Sequence, residues 1–269
     1  MINKLLILII AFSGIMHILR SQESKPEITT EELSKKINNP LASLISLPFQ
    51  NYTDVGIGKF NGYRNTLYIQ PVIPFRLSSK LNLITRIVLP LVTQHNIDSE
   101  GTHQRGLNDA VTSAFFSPNE SRNGLTWGVG PVFLLPVASN DLLGAKKFGI
   151  GPSALLLKQT GGWTIGILVN QIWSVAGDND RDDISQMYSQ PYVSYSWKSG
   201  AGLLVSSELT QNWEANTSSV YMNFIISGIT KFGTQTVVLA FGPKIEIVAP
   251  EENSTDFGVV AILLFVFPK

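Results

Sequence analysis

The sequence predicts an all-β fold: a transmembrane antiparallel β-barrel of about 12 strands, behind an N-terminal signal peptide and a short periplasmic helix. Three observations carry this. From Ile45 to Lys269 the apolar residues recur with period two and long helical patterns are absent. The connections alternate between tight turns and longer polar loops. All five Trp fall near predicted strand ends.

The N-terminus reads "MINKLLILIIAFSGIMHILRSQES". Lys4 is a short positive n-region, and Leu5 to Leu19 is an apolar stretch broken by Ser13, Gly14 and His17. This is the pattern of a secretory signal over residues 1–21, with cleavage near Ser21. Residues 22–46 follow as a periplasmic leader. In it Thr29 and Glu32 fit a capping box, which places a short helix from about Thr30 to Ile37, stopped by Asn39-Pro40. Such a helix is either a flexible leader or a small lid.

The barrel is expected over 47–269. Its strand cores read 47–58, 65–77, 80–94, 107–117, 125–137, 148–159, 163–175, 185–197, 202–214, 219–231, 235–248 and 256–267. Most reach the ~9–11 residues a tilted strand needs to cross a bilayer. In "KLNLITRIVLPLVTQ", Leu81, Leu83, Ile87, Leu89 and Leu91 share one face, and Asn82, Arg86 and Gln94 the other. The joins "LSSK", "QTGG", "KSGA" and "FGTQ" are tight, whereas "HNIDSEGTHQRG", "ASNDLLGAKK", "AGDNDRDD" and "APEENSTD" are long and polar. Short periplasmic turns and longer outer loops are the mark of a membrane barrel. Trp127, Trp163 and Trp197 fall at the short-turn end and Trp173 and Trp213 at the long-loop end, as two aromatic girdles. The last strand, "GVVAILLFVFP", is apolar on both faces, which suggests a narrow, partly apolar lumen.

Composition excludes other classes. Formal charge is zero, so no bulk field draws nucleic acid. Charged residues are 15 % of the chain, against roughly 25 % in soluble domains. There is no Cys, hence no disulfide, thiolate metal site or Cys nucleophile.

Several blocks, "NPLASLISLPFQNYTDVGIG", "YIQPVIPFRL", "WGVGPVFLLPVA", "FGIGPSALLLKQTGGWTIGILVNQIWSVAGDNDR" and "QPYVSYSW" among them, recur in an order that resembles a family of Gram-negative outer-membrane transporters. That family is related to proteins linked to the meta-pathway of phenol degradation, and some of its members carry the name neuromedin U. The resemblance runs from Asn39 to Lys269. It implies an outer-membrane barrel acting as a transporter or channel. Its partners would be the lipid bilayer, the barrel assembly machinery and a small solute. The chain ends Phe267-Pro268-Lys269 rather than on an aromatic residue, which that machinery has to tolerate.

No motif points to a cofactor, a metal or a catalytic group. "WGVGPVFLLP" from Trp127 and "FGIGPSALLL" from Phe148 hold Gly-x-Gly, but each continues into Pro and an extended run, not a helix. A dinucleotide fingerprint needs a third Gly and a helix, so these glycines read as bends in a curved wall. His95, Asp98, Glu100 and His103 share an outer loop without a ligand spacing. Asp178, Asp180 and Asp182 imitate the start of a calcium loop, but Asp183 stands where Gly is required and Ser189 where Glu is required. Glu208 and Glu214 are six residues apart on a strand, about 20 Å, too far for paired glycosidase carboxylates.

The remaining polar positions are read as lining the lumen: Tyr68, Gln70, Arg86, Asn170, Gln190, Glu208, Thr210, Asn212, Glu214, Lys244 and Glu246. Buried charge in a membrane must be paired or wetted. A network of Arg86, Glu208, Lys244 and Glu246 is expected, with Asn223 as the small polar neighbour between Glu208 and Lys244. It would line a narrow path or plug it. The leading expectation is a passive channel for small solutes, apolar or aromatic ones among them. The rival is a surface-binding or structural barrel with a plugged lumen.

Overall fold

The computed structural model describes residues 30–267. The signal peptide over 1–21, Thr29 of the capping box and the terminal Pro268-Lys269 lie outside the described residues. The chain opens with α1 (Thr30–Ile37), which carries Glu31 and Glu32 in its first turn and Lys35 and Lys36 in its last. Both placements oppose the helix dipole favourably. Asn39-Pro40 follows, as expected of a stop.

Fourteen strand segments come next: β1 (Ile45–Ile57), β2 (Gly62–Ile69), β3 (Val72–Arg76), β4 (Leu81–His95), β5 (His103–Leu107), β6 (Ala110–Pro118) and β7 (Leu125–Leu135), then β8 (Lys147–Thr160), β9 (Trp163–Gly177), β10 (Ser185–Ser196), β11 (Ala201–Asn212), β12 (Thr217–Phe232), β13 (Gln235–Val248) and β14 (Phe257–Phe267). They make twelve staves. The second predicted strand is interrupted where Pro71, with no N–H to give, separates β2 from β3, and both halves pair with β4. The predicted strand 107–117 is likewise divided into β5 and β6, which both pair with β4. The outer loop expected before it is shortened, because β5 continues the β4 ladder up to His95↔His103.

Each stave is antiparallel to its neighbours, and β1 pairs with β14 from Ile45↔Phe267 to Val55↔Phe257. The sheet therefore closes on itself and has no edge. In hydrocarbon only such closure satisfies every strand's backbone groups. Alternate side chains face outward, and the exposed large apolar residues Val129, Leu156, Ile165, Ile226, Phe241 and Ile247 sit on that face. This is the apolar band of a membrane-spanning wall, and it places the barrel in a Gram-negative outer membrane. Where polar groups do face outward on β1 and β2, they bond one another: Asn65 Nδ2 donates to Asn51 Oδ1 (2.9 Å) and to Thr53 Oγ1 (2.8 Å).

The repeated Gly-Pro steps bend this wall. Gly130-Pro131 and Gly151-Pro152 lie in β7 and β8, with Pro131 paired opposite Pro152. The structure adds a third copy, Gly242-Pro243 in β13. At each copy one ladder skips: from Ser113↔Val132 to Phe116↔Val129, from Ile150↔Trp173 to Ser153↔Asn170, and from Asn223↔Lys244 to Ile226↔Phe241. The proline cannot donate there. The glycine lets the neighbouring carbonyl come close: a Cβ on Gly130, Gly151 or Gly242 would overlap the backbone oxygen of Ala114, Gln171 or Phe224.

The leader does not hang free below the barrel. It crosses the short-turn mouth and fills it. Leu33 and Leu44 pack on Val238 and Val266, and Leu41 packs on Ile84, Phe115, Leu155, Leu157 and Leu168. Polar contacts fix the crossing at three places. Gln159 Nε2 donates to the Lys35 carbonyl (2.8 Å), Asn38 Nδ2 to Ser196 Oγ (2.6 Å), and Asn82 Nδ2 to Ser43 Oγ (3.1 Å). The short-turn end of the apolar inner face of β14, Leu264 and Val266, is thus covered by the chain's own leader.

Gly151→Ala forces a methyl into the Gln171 carbonyl, and overpacking of this kind costs about 1–3 kcal/mol or more. We expect Gly151→Ala to reduce the fraction of heat-resistant, fast-migrating barrel on unboiled gels, whereas Pro152→Ala leaves it unchanged.

Candidate functional site: the barrel interior

Inward residues follow from strand parity, and Leu41 identifies the inner face by packing against it. On β1 these are Gln50, Tyr52 and Asp54; on β2, Arg64, Thr66 and Tyr68. Their side chains meet others across the lumen at mid-height. Tyr52 on β1 donates its hydroxyl to Glu208 Oε1 on β11 (2.9 Å), and Asn223 Nδ2 on β12 donates to the same oxygen (2.9 Å). Three strands separate β1 from β11 around the wall, so this bond is a crossbar. Tyr68 stacks edge-on against Tyr52 with centroids 5.3 Å apart.

A second bridge lies beside it. Lys244 Nζ contacts both oxygens of Asp54, at 2.9 and 3.0 Å, with each side chain only 11 % exposed. Gly258 stands between them on β14 and makes the room: a Cβ there would fall 2.7 Å from Asp54 Oδ1 and 3.1 Å from Lys244 Cβ. The ammonium also lies 4.1 Å from the centroid of the Tyr221 ring. A third set joins the opposite wall. Arg86 Nη2 donates to Gln70 Oε1 (2.7 Å), whose amide donates to Gln50 Oε1 (3.0 Å). Arg64 Nε donates to Gln94 Oε1 (2.9 Å), and Gln94 Nε2 to Gln104 Oε1 (3.2 Å).

The network expected from sequence is thus rearranged. Lys244 pairs with Asp54 and not with Glu208. Glu208 is held by neutral donors. Arg86 reaches Gln70. Glu246 turns toward the loop after β13, where its carboxylate accepts from Ser254 Oγ and from the Thr255 amide. Gln70, Asn170, Gln190 and Thr210 sit at inward positions, with Tyr188 paired between Asn170 and Thr210. Asn212 closes β11, where its Oδ1 accepts from the Glu214 and Ala215 amides. Glu214 itself lies past the strand end in that exposed turn, outside the lumen. Sequence reasoning passed over Gln50, Tyr52, Asp54 and Arg64. The alternation in "PFQNYTDVG" carries the first three at i, i+2 and i+4 and was the available signal.

The five Trp are exposed on the outer surface. At the short-turn end Tyr195 lies between Trp163 and Trp197, with centroids 4.9 and 5.1 Å away. At the loop end Trp213 Nε1 donates to Gln171 Oε1 (3.0 Å), beside Trp173.

The outer loops bind themselves. Lys146 bridges Asp141 (3.0 Å) and Asp178 (3.8 Å), and Arg181 donates to the carbonyls of Asp141 and Gly144. Lys147 holds Asp183 at 2.9 Å, and Ser174 donates to the same oxygen. Asp178 and Asp183 of the acidic run are therefore paired from within the loops. Among the described residues no group of three or more potential ligands is placed to hold a metal ion. His95 and His103 face each other with ring centroids 6.2 Å apart.

Neither a protein-family model nor a curated protein matches the chain. Solved structures do. The COG4313 outer membrane channel from Pseudomonas putida F1 superposes with a TM-score of 0.66 at 13 % identity, over 84 % of this chain and 96 % of that one. The fold is that of an outer-membrane barrel. The NanC porin aligns over 83 % of this chain and 100 % of its own at a TM-score of 0.49 and 11 % identity. The outer membrane phospholipase A from Escherichia coli aligns over 90 % and 99 % at 0.47 and 10 %. These last two likenesses are too distant to extend the comparison.

Two outcomes follow. Asp54→Ala strands the Lys244 ammonium in the wall, a loss of about 3–5 kcal/mol, to be read from urea unfolding in lipid vesicles; adding Lys244→Met recovers most of it. In the outer loop, the hydrogen bond from Lys147 holds the Asp183 carboxyl below its ordinary range, helped by Ser174 and by the charge of Lys147. Its tether is present above the ordinary aspartate value of about 4 and is lost as pH falls through the lowered one. Proteolysis of the loop should therefore accelerate only under acid, and Asp183→Asn should accelerate it already at neutral pH.

Proposed function

We propose that the protein is an outer-membrane channel for small solutes whose short-turn mouth is gated by its own N-terminal segment. One observation carries the reading: Asp54, Arg64, Arg86, Glu208 and Lys244 all face the interior. Charge inside a membrane is costly, faces an interior or a water-filled cavity, and marks ion or substrate pathways. Both signs are present and bridged, which argues against strong ion selectivity. The proposal includes kinship with the transporter family that the sequence blocks resemble, and delivery by the barrel assembly machinery.

The gate also bears on the solute. With the leader seated, Leu41 covers the inner apolar patch of Ile84, Phe115, Leu155, Leu157 and Leu168. With it displaced, that patch becomes a surface for apolar or aromatic solutes. The packing of the leader across the mouth favours a second reading as well, a barrel that is plugged for good and works by surface binding. Planar-bilayer recording separates the two. In the full chain, Leu33→Asp with Leu41→Asp should raise conductance several-fold over the parent; silence from both proteins would leave only the plugged barrel.

A further inference from the structure

The barrel's surface charge is sorted by end. Every hairpin that closes at the short-turn side carries Lys or Arg there. Arg76 and Lys80 flank the turn from β3 to β4, and Arg122 lies in the turn from β6 to β7. Lys158 stands just before the end of β8, Lys198 follows β10, and Lys231 is the last residue but one of β12. All of them are exposed. Among these turns Glu120 is the single acid. The longer joins at the other end are the reverse: Asp98, Glu100, Asp180, Glu214, Glu251 and Glu252 belong to a surface where acids outnumber bases.

The short-turn cations are not spent on one another's neighbours. Lys80, Arg122, Lys158 and Lys198 make no ion pair among the described residues. The charge of Lys198 is felt at Glu31, but that carboxylate is already bridged by Lys35 at 3.1 Å. The same end carries an aromatic girdle, Trp127, Trp163 and Trp197, exposed on the outer wall. Lys198 follows Trp197 directly, and Lys158 opposes Ile165, the next outward position along β9 from Trp163. Such a girdle marks the headgroup level of a bilayer. Lysine and arginine stems are long enough to keep their charge in that layer. The cations therefore stand where lipid phosphates lie. They are set at every hairpin around the rim, which fits a partner that surrounds the barrel. A docking site for a protein would gather them on one side.

We propose that the short-turn rim is a collar that binds the anionic phospholipid headgroups of the periplasmic leaflet. The phosphates accept charge-assisted hydrogen bonds from the Lys and Arg side chains. One such cation at an anionic membrane surface is worth about fivefold in binding. The acidic loops repel the same headgroups, so only one end of the barrel collects them. The collar stands independently of the channel reading.

Lipids brominated near the headgroup end of their chains read this directly, because bromine quenches a nearby Trp. Trp173→Phe with Trp213→Phe leaves reporters only at the short-turn end. Trp127→Phe with Trp163→Phe and Trp197→Phe leaves them only at the loop end. The vesicles are phosphatidylcholine with equal fractions of brominated phosphatidylglycerol or brominated phosphatidylcholine. The short-turn reporters should show a several-fold binding preference for phosphatidylglycerol, and the loop-end reporters none. Molar salt screens the attraction, so it should bring the preference toward one, as should Lys158→Gln with Lys198→Gln. Heat-resistant gel mobility verifies that each variant is folded, and the salt series carries the test if the double Gln variant does not fold. Equal quenching by the two lipids at the short-turn end overturns the collar. So does a preference there that survives molar salt, or one of the same size at the loop end.

Discussion

The pairing of the first strand with the last is the constraint from which the remaining architecture follows. Within hydrocarbon an open edge would leave a line of unpaired N–H and C=O groups, each costing several kcal/mol, about as much as one buried unbonded amide. The β1–β14 ladder removes both edges at once. Closure in turn creates an inside, and an inside twelve staves around is too narrow to be a wide pore and too wide to be filled by wall side chains alone. The three Gly-Pro steps belong to the same geometry, since a closed wall must turn somewhere and a proline opposite a glycine-relieved carbonyl is where the ladder can give.

The interior is shared between two kinds of filling. Near the short-turn mouth the wall is apolar and is covered by Leu33, Leu41 and Leu44 from the leader. At mid-height it is polar, and the side chains reach across the space to one another. Tyr52 to Glu208 and Lys244 to Asp54 link strands that are not neighbours. These crossbars brace the wall and leave its ionised groups compensated in place.

Much of the fold was legible in the sequence, because period two, loop parity and Trp placement each report a one-dimensional property. The helix at Thr30–Ile37 was legible from its capping-box spacing and its stop signal. The interruption at Pro71 was missed because both halves keep the same alternation on the same neighbour, and that at Asn108-Asp109 because β5, whose inward parity is shifted by one from that of β6, lies in what reads as a polar loop. The double-faced apolarity of β14 was read as an apolar lumen, whereas its inner residues Leu264 and Val266 are covered by the leader, more than two hundred positions earlier, and Val260 packs with Tyr52, pairings that no local pattern contains. The same distance hid the partner of Lys244. Parity placed Lys244 inward, but choosing Asp54 over Glu208 needed the closure register and the gap that Gly258 leaves. Glu214 was placed inward by extending a strand two residues past Asn212, where the turn takes over.

The leader is joined directly to β1 through Leu44-Ile45, which sets an order of events. Its docking surfaces lie on β4 to β10 and again on β12 to β14. Those surfaces face each other only after the first strand has found the last, the longest-range contact in the chain and the slowest kind to form. The floor is therefore the final piece to seat. Until then the nascent barrel is open at one end and unzipped along one seam, and the strand that must complete the seam carries the stopper on its own N-terminal end.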